Sequence, residues 1–133
     1  MRTAGQGLFE ITDQIEREVA QSGCDVGLCT VFVQHTSASL TIQENADPSA
    51  KRDLEKWLNR LVPENDPLYT HTAEGPDDMP SHIKAILTST SLGIPILNGR
   101  MVLGTWQGIY LWEHRSRAHN RSVIVHIAGD SAE

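Results

Sequence analysis

The sequence contains few cysteines and lacks long hydrophobic runs. No apolar stretch approaches the ~18 residues of a transmembrane helix, and the polar N-terminal segment has no signal-peptide core. Cys24 and Cys29 are the two cysteines, and on one extended strand, which rises ~3.3 Å per residue, they lie too far apart for a disulfide. These absences predict a reduced, cytoplasmic protein that does not cross a membrane.

Positive charge is also scarce, because 11 Lys and Arg stand against 17 Asp and Glu and give a net charge of −6. Non-specific binding to nucleic acid needs a basic field, so this balance excludes that class of function. A local basic pocket is still compatible with the sequence. Three basic side chains beside predicted turns or helix starts could meet a phosphate: Lys84, Arg100 and Arg115. Taken singly, each is better explained as a solvated side chain.

The length of 133 residues fits one domain and is too short for a (β/α)₈ barrel, which needs at least ~200 residues. Hydrophobic periodicity predicts three helices, at residues 13–22, 48–61 and from about residue 80. It also predicts about seven strands, which include residues 8–11, 26–34, 37–44, 91–97, 100–114 and 121–127. Because the strands cluster late in the chain, the pattern favours an α+β domain with antiparallel sheet.

Histidine and hydroxyl side chains alternate at the start of the third predicted strand. If the strand runs through this segment, His35, Ser37 and Ser39 share one face. Such a face can hold an oxyanion or a phosphate. The alternative is the exposed polar face of a half-buried strand, and the spacing alone favours it. No G-x-S-x-G elbow surrounds either serine, so a serine-hydrolase triad has no support.

An acidic loop at residues 63–80 and the helix after it carry possible metal ligands: His71, Glu74, Asp77, Asp78 and His82. Ordered loops of this length are often functional, but the spacing matches no standard zinc motif. The positive end of the helix favours the neutral form of His82, which a metal ligand requires. A metal site and a solvated acidic loop are equally consistent with the sequence.

A late strand alternates glycine with aromatic side chains on one face. The aromatic residues are Trp106, Tyr110 and Trp112, and the glycines between them leave room for a large ring or a second backbone. For Trp106 and Trp112 a packed core or a subunit interface is the favoured interpretation. His114 and Arg115, at the end of the strand, are better functional candidates.

Together these motifs resemble the YjbQ family, the secondary thiamine-phosphate synthases. The matching segments lie between about residues 33 and 115 and are residues 35–41, 44–48, 53–55, 71, 74–84, 91–109 and 113–115. The most specific are Gly-Pro-Asp-Asp-Met-Pro at residues 75–80 and Gly-Thr-Trp-Gln at residues 104–107. The turn at residues 118–120 departs from the glycine-bearing turn expected in the family.

The resemblance implies a small α+β subunit, an antiparallel β-sheet sandwich with three helices, that assembles as a homotrimer. It also implies a weak activity that joins hydroxymethylpyrimidine diphosphate to a thiazole phosphate. The expected ligand is therefore a small phosphorylated molecule, with neither nucleic acid nor a membrane as partner. The competing interpretations are a non-enzymatic trimer that binds a metal or a phosphorylated ligand, and a structural assembly protein whose aromatic strand only builds the interface.

With the resemblance, function becomes the favoured interpretation of both the acidic loop and the strand that bears His35. The predicted catalytic residues are His35, Ser37, Ser39, Glu44 and Asp78. The predicted substrate- and phosphate-binding residues are Thr36, Lys84, Arg100, Trp106 and Arg115, with Trp106 or Tyr110 stacking on the pyrimidine. The predicted ligands of a divalent metal are His71, His82 and His114. Three histidines suit Zn²⁺, and carboxylates with phosphate suit Mg²⁺. A site shared between subunits would combine the His35 strand of one chain with the acidic loop of its neighbour.

Overall fold

The computed structural model describes residues 1–132, and within them the chain forms three helices and seven strands. In chain order the elements are β1 (Gly7–Glu10), α1 (Thr12–Ser22), β2 (Cys24–Val33), β3 (Ala38–Glu44), α2 (Pro48–Leu61), α3 (Asp78–Leu87), β4 (Ser91–Leu97), β5 (Arg100–Met101), β6 (Gln107–Glu113) and β7 (Val123–Ser131). The predicted α+β fold with three helices is confirmed. No helix in the described part of the chain is both long enough and apolar enough to span a bilayer.

The strands form two antiparallel sheets. One has the order β1-β6-β3 and the other the order β5-β4-β2-β7. Strands β3 and β6 pair over their whole length, with Ala38 opposite Glu113 and Glu44 opposite Gln107. In the larger sheet Gly27 lies opposite Gly129, and a Cβ atom at Gly27 would lie 2.2 Å from the Ala128 carbonyl oxygen. The close approach of β2 and β7 therefore requires glycine there.

The inner faces of the two sheets share the main hydrophobic core, so the predicted sandwich is present. Fully buried side chains from both sheets and from α1 meet in it, among them Val19, Val31, Leu40, Ile96 and Leu111. Cys24 and Cys29 also lie in this core and are not bonded to each other. The alternation along the strands therefore places one face of each sheet in the interior.

A second, smaller core covers the outer face of the three-stranded sheet. Tyr110 and Trp112 of β6 pack there with Leu58 of α2 and with Val62, which follows that helix. Because Ile109 and Leu111 face the main core, β6 is buried on both faces. The favoured interpretation of Trp112 as a packed side chain is thus confirmed, whereas Trp106 is 64% exposed.

Helix α2 begins as its sequence predicts. The Asp47 carboxylate accepts a hydrogen bond from the Ser49 N–H at 2.9 Å, and Pro48 occupies the first helical position. Helix α1 ends at Gly23, whose φ of 72° lies in the left-handed region that favours glycine. Helix α3 begins at Asp78, two residues before the predicted start.

The predicted strand over residues 100–114 is wrong, because it is two strands in different sheets. Strand β5 pairs with β4, and the chain then crosses to the three-stranded sheet before β6. A turn closes the crossing: the Gln107 N–H donates to the Gly104 carbonyl at 3.1 Å, and the Gly104 N–H donates to the Gln107 side chain at 2.7 Å. Since the alternation of side chains continues through the turn, the sequence pattern does not reveal it.

Candidate metal centre and adjoining cavity

Two histidines and one aspartate converge where the acidic loop meets α3. The Nε2 atoms of His71 and His82 lie 2.7 Å and 3.1 Å from the same oxygen of Asp78, Oδ2. Asp78 and His82 are four residues apart at the start of a helix, so they share one face, and the loop brings His71 to them. The three possible ligand atoms lie within 4.8 Å of one another, close enough for one cation to contact all three.

The hydrogen bonds of His82 leave Nε2 free of a proton in the neutral ring. Its Nδ1 lies 2.9 Å from the carbonyl oxygen of Thr36, which can only accept, so Nδ1 carries the proton. The Nε2 lone pair then faces the Asp78 carboxylate, which has only lone pairs to offer. A cation between the two groups, or a second proton on the ring, removes this repulsion. A backbone carbonyl on the far nitrogen is the usual second contact of a metal-binding histidine.

Asp78 is held ionised by its neighbours. Its carboxylate is buried, and Oδ1 accepts a hydrogen bond from Nη1 of Arg115 at 2.9 Å. Burial raises the pKa of Asp78, but the hydrogen bond with His71 and the charge of Arg115 outweigh burial and lower this pKa. The site therefore supplies one negative charge and two imidazole nitrogens.

Arg115 is committed to the acidic loop. Besides its bond to Asp78, its Nε donates to Asp77 at 2.9 Å and its Nη2 donates to the Glu74 carbonyl at 2.9 Å. Burial raises the pKa of Asp77, but the hydrogen bonds and charge of Arg115, with the Ser116 N–H, lower it to about 2. All three guanidinium nitrogens are therefore used within the protein, and Arg115 orders the loop rather than presenting a free phosphate ligand.

A cavity of about 640 Å³ opens beside the three ligand atoms. This volume suits a small molecule, since ligand pockets measure roughly 300–1,000 Å³. The lining combines imidazoles and hydroxyls with apolar side chains: His35, Thr36, His71, Met79, His82, Ala85, Ile86, Thr88 and Thr90. His35 and the acidic loop thus meet within one chain, and no neighbouring subunit is needed to bring them together.

His35 is oriented by the backbone of a neighbouring segment. Its Nε2 accepts a hydrogen bond from the Ser122 N–H at 2.7 Å, which assigns the ring proton to Nδ1. Burial and the charge of Arg121 lower the pKa of His35, so the ring is neutral near pH 7. His35 therefore provides one N–H donor at the wall of the cavity.

Three predicted site residues lie away from this cavity. The Oγ atom of Ser39 lies 2.8 Å from Nε2 of His114, and both residues are buried. Ser37 accepts a hydrogen bond from Arg121 at 3.0 Å. Since β3 begins at Ala38, the predicted common face of His35, Ser37 and Ser39 does not form. His114 does not join His71 and His82, and Asp78 is instead the third member of the cluster that could hold a metal ion.

Four more predicted residues lie elsewhere, three of them at the opposite end of the sheets. Glu44 ends β3, and Trp106 is beside it, since its carbonyl accepts the Asn45 N–H at 3.0 Å. Arg100 belongs to the hairpin next to the first residues of β2, whereas His35 follows the last residue of that strand. Tyr110 is packed in the smaller core. Within one chain, none of these side chains lines the cavity beside the candidate metal ligands.

Asp78 was predicted to be a catalytic residue, whereas its position between His71 and His82 makes it a candidate metal ligand. The available signal was its i,i+4 spacing to His82 at a predicted helix start. No comparable signal in the sequence indicated Thr88 and Thr90, which follow α3 and line the cavity. Their positions depend on how the chain turns into β4, which no local pattern specifies.

Comparison with known proteins gives a consistent result over the whole chain. A family model described as UPF0047 protein YjbQ-like matches residues 1–130. UPF0047 protein sll1880 of Synechocystis sp. is 56% identical over 96% of this chain and 87% of its own length. UPF0047 protein YjbQ of Escherichia coli O157:H7 is 44% identical over 94% of this chain and 91% of its own length.

Solved structures show the same fold. An uncharacterized YjbQ/UPF0047 protein from Clostridium acetobutylicum superposes with a TM-score of 0.84 at 39% identity, covering 96% of each chain. A YbjQ-like protein of unknown function from Sulfolobus solfataricus superposes with a TM-score of 0.88 at 26% identity, covering 98% of this chain and 94% of its own.

Proposed function

Because this chain belongs to the YjbQ-like UPF0047 family, we propose that it binds a divalent metal at His71, Asp78 and His82 and a small phosphorylated molecule in the adjoining cavity. The observation that carries the proposal is the orientation of His82, whose Nδ1–H is committed to Thr36 while Nε2 faces a carboxylate. Two imidazoles and one carboxylate are a ligand set typical of Zn²⁺ sites that keep one position open.

Each residue around the site has a role that its contacts support. Arg115 holds the Asp78 carboxylate in place, and the Thr36 carbonyl holds His82. His71 has a half-exposed side chain, so a ligand can reach the site from its side. The Nδ1–H of His35 can donate to an oxyanion. When bound, a divalent cation supplies charge neutralisation for phosphate oxygens.

We propose that the reaction at this site is the weak synthase activity implied by the resemblance. Diphosphate leaves the methylene carbon of hydroxymethylpyrimidine diphosphate with the electrons of the C–O bond. The thiazole nitrogen supplies the electron pair of the new C–N bond, which gives thiamine phosphate. The chain's part is to position the two anionic ligands and stabilise the departing charge. The alternative is a binding protein that uses the same site without turnover.

Metal binding is tested by titrating Zn²⁺ and Mg²⁺ into metal-free protein in a calorimeter. We expect one Zn²⁺ per chain, bound about 100-fold more weakly in His82→Ala because one of three ligands is lost. His119→Ala is the matched control, since His119 lies in a turn away from the cluster and should leave the affinity unchanged. Equal Zn²⁺ binding by wild type and His82→Ala would refute the site.

Turnover is tested by measuring thiamine phosphate formed from the two substrates at equal protein concentrations. We expect slow, saturable product formation that falls to background in Asp78→Asn, because the amide removes the negative charge from the ligand set. His119→Ala should retain full activity. Zn²⁺ binding without any product would reject the synthase and leave the binding protein.

We also propose that the chain assembles as a homotrimer through the outer face of the four-stranded sheet. Large apolar side chains on that sheet are 44–52% exposed: Val26, Leu28, Phe32, Leu97 and Ile124. Contiguous apolar patches of this kind are typical of interaction surfaces. The described residues that line the cavity at the acidic loop come from one chain and do not belong to this apolar face.

The assembly is tested by light scattering. Wild type is expected to have three times the mass of one chain, and Phe32→Glu is expected to dissociate because a charge would be buried at the interface. Leu68→Glu places the same charge on an 85% exposed side chain of the acidic loop and should remain trimeric. A monomeric wild-type protein would contradict the proposal.

A further inference from the structure

A second cavity lies on the other side of α3, where α2 and α3 meet the three-stranded sheet. Its volume is about 180 Å³, and its lining residues are Gln6, Gly7, Glu55, Asn59, Lys84, Trp112 and His114. None of them lines the cavity beside the metal ligands. We propose that this second cavity is an oxyanion site, which binds inorganic phosphate or a group of similar size between Lys84 and His114.

Lys84 brings a buried positive charge to this cavity without a direct ion pair. The residue is 4% exposed, and its Nζ makes one hydrogen bond, to the side-chain oxygen of Asn59 at 2.6 Å. Among residues 1–132, no carboxylate oxygen lies within 4.0 Å of this nitrogen. An ammonium group has three donors, so two remain for a ligand. A buried charge normally has a partner, and an anion in the cavity would supply it.

His114 adds an unsatisfied polar atom. Its ring is 1% exposed, its Nε2 pairs with Ser39, and its Nδ1 is buried with no hydrogen-bond partner in the described chain. Buried polar atoms without partners are rare, and each calls for an explanation. When the Ser39 hydroxyl donates to Nε2, Nδ1 carries the proton and is left as an unused donor beside the cavity that His114 lines.

Further hydrogen bonds hold the polar side chains around Lys84 and His114 in place. The Asn59 amide donates to Gln6 at 3.0 Å, and the Gln6 amide donates to the His114 carbonyl at 3.3 Å, which links α2 to the end of β6. Glu55 is the one carboxylate in the lining, and its Oε2 accepts the Leu8 N–H at 2.9 Å. One of its two carboxylate oxygens is therefore held by the backbone of β1.

The size and position of the cavity set the ligand class. A volume of 180 Å³ is several times the ~30 Å³ of one water but smaller than the roughly 300–1,000 Å³ of a drug-sized pocket. Lys84 follows His82 by two positions, which is about 200° around an α-helix. The two cavities therefore lie against opposite faces of α3, and the oxyanion site does not depend on the metal centre.

The test is calorimetric titration of inorganic phosphate into metal-free protein, with thermal unfolding at rising phosphate concentration as a second readout. We expect saturable binding and a phosphate-dependent rise in Tm. Both should be lost in Lys84→Met. Affinity should fall at least tenfold in His114→Gln, whose amide can still meet Ser39 but presents nothing at the place of Nδ1. Lys56→Met removes an exposed lysine of α2 and should bind as wild type does.

His82→Ala separates this site from the metal centre and should bind phosphate normally. Thermal unfolding without phosphate shows whether each variant is folded. If Lys84→Met does not fold, His114→Gln tests the site in its place. Absence of binding by folded wild type would show that only water fills the cavity and would overturn the proposal. A requirement for added metal, or an equal loss in Lys56→Met, would do the same.

Discussion

Glu113→Ala is expected to lower the free energy of unfolding by about 3–5 kcal/mol, because it leaves the buried guanidinium of Arg121 without its partner. Glu113 is fully buried, and its Oε1 accepts hydrogen bonds from Thr3 at 2.7 Å and from Arg121 Nε at 2.8 Å. Its Oε2 accepts the Arg115 N–H at 3.1 Å and a second bond from Arg121. Burial raises the pKa of Glu113, but Arg121 and Thr3 outweigh it and lower the pKa, so the pair is ionised.

Denaturant unfolding at pH 7 measures this loss. Glu18→Ala removes an exposed carboxylate of α1 and is expected to change the free energy of unfolding by less than about 0.5 kcal/mol. The double variant Glu113→Leu/Arg121→Met should recover part of the loss, since no unpaired charge then remains. A loss below about 1 kcal/mol in Glu113→Ala would show that Arg121 finds solvent or another partner.

His114 is expected to make the protein progressively less stable as the pH falls below 6.5. Burial, together with the charge of Lys84, lowers the pKa of His114 from 6.5 to about 3. Below pH 6.5 the unfolded chain takes up a proton at this ring and the folded chain does not, so acid favours unfolding until about pH 3. The free energy of unfolding should therefore fall by about 2–3 kcal/mol between pH 6 and pH 4 from this residue alone.

The measurement is a series of denaturant titrations between pH 7 and pH 4.5. In His114→Gln the slope of stability against pH should be smaller by up to about 1.4 kcal/mol per pH unit, the value for one proton. His119→Gln, in a partly exposed turn, should keep the wild-type slope. Identical slopes in all three proteins would mean that His114 is protonated in the folded state, contrary to its buried position.

Local chemistry made much of the fold predictable. Helix α2 was predicted over its full length because Asp47, Pro48 and Pro63 mark its ends within a few residues of sequence. The helix count followed from periodicity, and the antiparallel sheet followed from the clustering of strands late in the chain. The crossing between β5 and β6 was not predictable, because Gly104 and Gln107 form a turn inside an unbroken period-two pattern.

The site was harder to predict because long-range contacts determine which residues lie together in it. By sequence, His114 and His71 were equal candidates as ligands. Pairing of β3 with β6 brings His114 to Ser39, and the Ser81 hydroxyl binds the His114 carbonyl at 2.9 Å beneath α3. The loop instead leaves His71 against Asp78. No local pattern distinguishes these outcomes, since they depend on strand register and on the path of an irregular loop.

Helix α3 forms a wall of both cavities. Its ten residues span about 15 Å, so Asp78 and His82 on one side cannot shift without carrying Lys84 on the other. Binding in one cavity would change the affinity of the other only by displacing this helix, and any such effect would be equal in both directions.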